Sequence, residues 1–194
     1  MRVRADRRVR LQRATFTGRS VLTRNTYQAK YKFGLARSTA IDELPKDWTA
    51  QLATVMAATL RDFSSQIRDT SVVMFAIDCF PWQGSIGLSI LTSEESNADP
   101  AMMDPSEIAA WRYFNFAEDL AAWKPAKALG RQMSDAYYAD EDADRGAIAD
   151  GFFRACAIAA ASPDVARAID LFKRDSRFRI SVSHPDDRRE FYAS

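Results

Sequence analysis

Between Ser71 and Thr92 the chain runs for two strands' length with Asp78 as its one side chain charged at neutral pH. From Val72 to Ile77 both alternating faces are apolar: Val72, Met74 and Ala76 on one, Val73, Phe75 and Ile77 on the other. That pattern belongs to a strand covered on both sides. The second run alternates instead, with Ile86, Leu88 and Ile90 against Ser85, Gly87 and Ser89, so one face of it is thin enough for close approach. Pro81-Trp82-Gln83-Gly84 supplies turn chemistry between the two. The stretch 71–92 therefore reads as a hairpin at the centre of a small sheet with helices packed on it.

Other signals fit the same fold. Trp48, Leu52, Val55, Met56, Thr59, Leu60, Phe63 and Ile67 recur at three and four, a helical stripe, with Asp47 near its start where an acid suits the helix dipole. Residues 126–138 and 147–161 are Ala-rich and read as helices, and Ser162-Pro163-Asp164 begins a short one with Val165, Ile169, Leu171 and Phe172 inward. Ser93 to Pro100 reads as a polar loop. Asp104-Pro105-Ser106-Glu107 reads as a helix start with a capping box, and Asn115 with Glu118 as another. Phe178, Ile180 and Val182 alternate with polar residues, giving a C-terminal strand over 178–183. The expected class is α+β: a single domain over 41–194 with a small antiparallel or mixed sheet.

Charge divides the chain. Of a net +1, residues 1–40 carry +10, from eleven Lys or Arg against Asp6 alone, and the remainder carries −9. The first forty residues read as a basic arm. Three accounts of it compete: a disordered or loosely docked tail, including a start of the reading frame called too early; a segment joining the sheet edge through Tyr27, Tyr31 and Phe33; and a nucleic-acid contact through Arg2 to Arg24 that is blind to sequence. No apolar run reaches the length of a bilayer span, and the arginine-rich start lacks a secretory apolar segment. A cytoplasmic protein without a membrane partner is expected. Cys79 and Cys156 are not closely spaced, which suits a reducing compartment.

Little in the sequence asks for catalysis. His184 is the sole histidine, so multi-histidine metal sites are excluded and any triad must use it, with Asp186 or Asp187 to orient it and Cys79 or a serine as nucleophile. No nucleophile elbow, phosphate loop or dinucleotide fingerprint accompanies it. Asp140, Asp142 and Asp144 match the first positions of a calcium loop, but Arg145 stands where the sharp turn needs glycine and Gly151 where the closing acid belongs. Whether that loop takes a cation is left open; a solvated acidic loop or a landing site for a basic partner fits it as well. No catalytic residue, metal ligand or cofactor is assigned.

The order of parts also carries a resemblance. An amphipathic helix, an apolar strand Val72 to Phe80, a glycine-bearing second strand, Thr92-Ser93-Glu94-Glu95, an acid-proline loop and Trp111-Arg112-Tyr113 ahead of Trp123 are similar to an uncharacterised bacterial family, domain of unknown function 4303. Its members show a Tyr-Ala-Phe strand, an Asn-Thr-Glu-Glu loop and a Trp/Tyr-rich helix start. The similarity spans Leu44 to Val182, and Ser93 departs from the pattern. It implies an immunity-type role: a non-enzymatic cytoplasmic inhibitor of a cognate protein toxin, with no catalytic residues. With the acidic body, it directs attention to Glu94, Glu95, Asp99, Asp140, Glu141, Asp142 and Asp144 as partner contacts, with Trp111 or Tyr113 as aromatic anchors. A nucleic-acid-associated protein and a hydrolase centred on His184 are the alternatives.

Overall fold

The computed structural model describes residues 44–45 and 47–192; the arm assigned to residues 1–40 lies outside them. The described chain is a single α+β domain built on a three-stranded mixed sheet of order β2-β1-β3. Strands β1 (Val72–Phe80) and β2 (Ser85–Thr92) form the expected antiparallel hairpin. Its turn is closed by Pro81–Gln83 in a single 3-10 turn and by Gly84, whose φ of 64° lies in the left-handed region.

The C-terminal strand begins earlier than its alternation indicated. β3 spans Arg174–Ser181 and runs parallel to β1 on the edge opposite β2. Only Phe178 onward alternates, because the first residues of β3 lie beside Val72, where the register slips between Val72 and Met74. Arg174, Arg177 and Arg179 keep this edge charged, a common guard against edge-to-edge pairing.

The two sheet faces are covered differently. Phe75, Ile77 and Cys79 with Ile86, Leu88 and Ile90 face α1 (Trp48–Ser64), α3 (Ala126–Tyr138), α4 (Arg145–Ala160) and α5 (Pro163–Ile169), forming the main core. There the Trp48 ring meets Phe152 edge-on at 5.2 Å, and its indole N–H donates to Leu129 O at 3.0 Å, so this large side chain is buried without an orphaned donor. Asp47 makes no side-chain cap to α1.

The other face carries Met74, Ala76 and Leu91 and lies under the first part of an irregular strap, residues 99–123, through Met102, Met103, Ile108 and Trp111. The rest of the strap, with Phe116, Ala117 and Trp123, packs into the main core. The expected polar loop at 93–100 is instead mostly helix. α2 (Ser93–Ala98) is nucleated by a capping box in which the Thr92 hydroxyl accepts from Glu95 N (3.3 Å) and the Glu95 carboxylate accepts from Thr92 N (3.3 Å). Beyond it, Asp99 and Asp104 each cap a proline-led 3-10 turn, Pro100–Met103 and Pro105–Ala110. Glu107 does not close a box on Asp104. Asn115, at φ 46°, turns the chain rather than starting a helix, and its side-chain amide donates to Glu118 (2.8 Å).

The helices at 126–138 and 145–160 match expectation closely, whereas Leu171 points outward at 55% exposure. The C-terminal turn, 182–192, is tied to α4 by Arg189, which donates to Asp150 at 2.9 and 3.0 Å and to Asp187 at 2.7 Å. No helix among the described residues is long and apolar enough to cross a membrane.

Candidate functional site

The acids singled out in the sequence fall into two groups at opposite ends of the hairpin. Glu94, Glu95 and Asp99 follow β2 at its Thr92 end. Asp140, Glu141, Asp142 and Asp144 occupy the α3–α4 loop, beside the hairpin turn, where Tyr138 Oη donates to Trp82 O at 3.1 Å. β2 is eight residues long, and at about 3.3 Å per residue its ends stand roughly 25 Å apart. A small partner meets one group or the other.

At the Thr92 end much of the chemistry is internal. Glu95 is half-buried: Oε2 serves the capping box and Oε1 accepts from Arg112 N at 2.6 Å. Trp111 is buried at 3% exposure, and its indole donates to Met102 O at 3.1 Å. Tyr113 pairs with the outer edge of β2 at Ile90 and packs edge-on against Phe63 at 5.7 Å. These three groups hold the strap to the sheet. Glu94 and Asp99 are exposed, and Asp99 Oδ1 accepts from Ala101 N.

The hairpin-turn end is more open. Asp140, Glu141, Asp142 and Asp144 are all exposed. Asp140 accepts from Asp142 N (2.9 Å) and Asp144 caps α4 through Ala147 N (3.1 Å). These bonds shape the loop and leave its charge outward; among the described residues no cluster of three His, Cys, Asp or Glu is arranged to hold a metal ion. Beside the acids runs a ridge of rings: Phe80 to Trp82 at 6.0 Å, Trp82 to Tyr137 at 6.3 Å, Tyr137 to Tyr138 at 4.9 Å. Tyr138 is 49% exposed. Sequence reasoning missed this ridge because Tyr137 and Tyr138 read as the end of a helix and Trp82 as part of a turn.

The ridge ends at a groove of about 210 Å³ between the end of β1, the strap and the C-terminal turn, lined by Asp78, Phe80, Pro105, Ile108, Phe114, Ser183 and Pro185 among others. Asp78 sits there on the sheet face that also carries Gly87 and Ser89. The Ser89 hydroxyl donates to Asp78 Oδ2 at 2.9 Å and accepts from Asn115 N at 3.0 Å. Gly87 permits the strap to come this close: a Cβ on it would stand 3.0 Å from Asn115 Oδ1 and 3.5 Å from Asp78 Cβ. Burial pushes the Asp78 carboxyl up to about 6, against the opposing pull of the Ser89 hydrogen bond. The thin face of β2 and the lone charge of the hairpin, both visible in the sequence, were the signals for this site; their juxtaposition was not.

His184 is half-buried between Phe153 (5.0 Å) and Trp82 (6.1 Å). Its Nδ1 accepts from the backbone N–H groups of Asp186 and Asp187 at 3.2 and 3.4 Å, and no hydroxyl or thiol bonds to it among the described residues. Cys79 is buried beside Cys156; burial pushes its thiol well above the usual range, and its Sγ lies 3.5 Å from Met133 Sδ. This is the setting of an inert core thiol.

The chain matches no protein-family model, no curated protein and no solved structure.

Proposed function

We propose that this protein acts by binding, as an immunity-type inhibitor of a basic cognate toxin, and that its contact face is the hairpin-turn end of the domain. The observation that carries the reading is the ridge Trp82, Tyr137 and Tyr138 alongside the four exposed acids of the 140–144 loop. Aromatic rings that lose little entropy on burial supply affinity at protein interfaces, while a rim with an excess of one charge sign supplies attraction and on-rate toward a partner of the other. Here four acids stand against Arg145, whose guanidinium lies over Tyr137 and Tyr138 at 5.6 and 5.0 Å. A toxin acting on nucleic acid needs a basic surface, which such a rim would attract. The immunity role comes from the resemblance over Leu44 to Val182, and a cytoplasmic setting follows from that role.

The test compares capture from the native host by the wild-type chain with capture by a variant carrying D140N, E141Q, D142N and D144N. Asn keeps the capping acceptors at 140 and 144, so the variant stays folded. A basic partner held by the wild type, weakened steeply by salt and lost with the variant supports the reading. Equal retention by both proteins contradicts it.

A further inference from the structure

The groove at Asp78 holds one carboxylate, and the Ser106 and Ser183 hydroxyls are the other polar side chains of its lining. The carboxylate receives one hydrogen bond, from Ser89. Asn115 Oδ1, buried with no donor among the described residues, lies against Gly87 and outside the groove's lining, so Asp78 is the acceptor the groove itself presents. No Lys or Arg is among the residues that line the groove. Arg188 pairs with Asp104 at 3.3 Å, Arg189 with Asp150 and Asp187, and Arg179 donates to Met103 O at 2.9 Å while its Nε is buried without an acceptor among the described residues. The floor is thus an anion without a counter-ion, in surroundings where an unpaired charge is costly. The walls are mostly hydrocarbon and aromatic, interrupted by Ser106 and Ser183. Phe80 and Phe114 both line the groove, and Phe114 is 48% exposed, one of the few large apolar side chains left open to solvent.

We propose that the Asp78 groove is a receptor for one guanidinium or alkylammonium group carried on a hydrocarbon stem. Such a group brings the donors that Asp78 lacks, and the faces of Phe80 and Phe114 offer a cation–π surface to its charge. At about 210 Å³ the groove falls below the range of about 300–1,000 Å³ usual for drug-sized ligands. It suits a single side-chain-sized group. A free small amine and a Lys or Arg side chain of a docked protein share this chemistry. The inference goes beyond the binding face proposed above and stands without the acidic loop.

The full-length protein, assigned by NMR, is titrated with butylguanidinium, butylammonium and, as an uncharged control, 1-butanol. Both cations are expected to shift Phe80, Gly87, Ser89 and Phe114 saturably in the millimolar range, with 1-butanol inert. Asp78→Asn, which keeps an acceptor for Ser89, is expected to weaken the cations by at least about tenfold. Phe114→Ala, at an exposed position, is expected to weaken them several-fold with the rest of the spectrum unchanged. The variant neutralised at 140–144 is expected to bind the probes as the wild type does, which separates failure of this site from failure of the docking face. N-acetyl-arginine N-methylamide binding more tightly than butylguanidinium supports the site and assigns the group to a protein; equal affinity supports the site and assigns it to a small amine. Shifts by 1-butanol equal to those by the cations, an unweakened Asp78→Asn, or shifts confined to 140–144 would each overturn the proposal.

Discussion

Ionising a carboxylic acid in the position of Asp78 forfeits hydration that a single hydroxyl from Ser89 does not replace. The folded-state value, raised from 3.8 to about 6, means that the folded chain binds this proton more tightly than the unfolded chain does. Stability therefore falls as pH rises above the unfolded value and levels off once pH exceeds the folded value, with a full cost on the order of 3 kcal/mol. Asp78→Asn should match the wild type below pH 3.8 and exceed it by about that amount at pH 7 to 8, read by urea denaturation across pH; a difference independent of pH contradicts the assignment. The residue itself was conspicuous in the sequence as the only charge in the hairpin. Its environment was not legible there, because Phe114, Asn115 and Pro105 arrive from a strap far along the chain. Glu95 teaches the reverse. Its place in an acidic run suggested a partner contact, yet both its oxygens are used within the fold, and only the Thr92–Glu95 spacing hinted at that.

The elements hold together through a few close contacts that fix their positions. Gly84, with φ of 64°, and Gly130 in α3 touch backbone to backbone: a Cβ on Gly130 would stand 2.0 Å from Gly84 O. Gly130→Ala must push α3 away from the hairpin turn, and a loss of about 1–3 kcal/mol or more is expected in thermal or urea unfolding; an unchanged midpoint would show that the contact is looser than described. Thr92→Ala removes the cap of α2 and leaves Glu95 without its hydroxyl partner, with an expected cost of about 0.5–2 kcal/mol. Helices with long stripes or Ala-rich runs were readable at α1, α3 and α4. The strap was not, since Asp99-Pro100, Asp104-Pro105 and Asn115 each carry start signals that break off after a turn or two. The direction of β3 was equally hidden: alternation marks a strand and its faces, whereas the parallel pairing with β1 depends on where α5 delivers the chain.

At the scale of the whole molecule, the acids singled out in the sequence fall into two groups roughly 25 Å apart, and only one of the two sits beside a ridge of rings. The loop acids touch no core group, so the four-fold neutralised variant should unfold within about 0.5 kcal/mol of the wild type, while losing the salt-sensitive partner. A composition-level count shows how much acid there is; the fold decides which acids can act together. The most direct measurement is hydrogen exchange on the full chain, free and bound to the partner it captures. The account predicts slowed exchange at 80–84 and 134–146 with 93–99 unaffected. Protection centred on 93–99 and 111–113, with none along the hairpin turn, would contradict it.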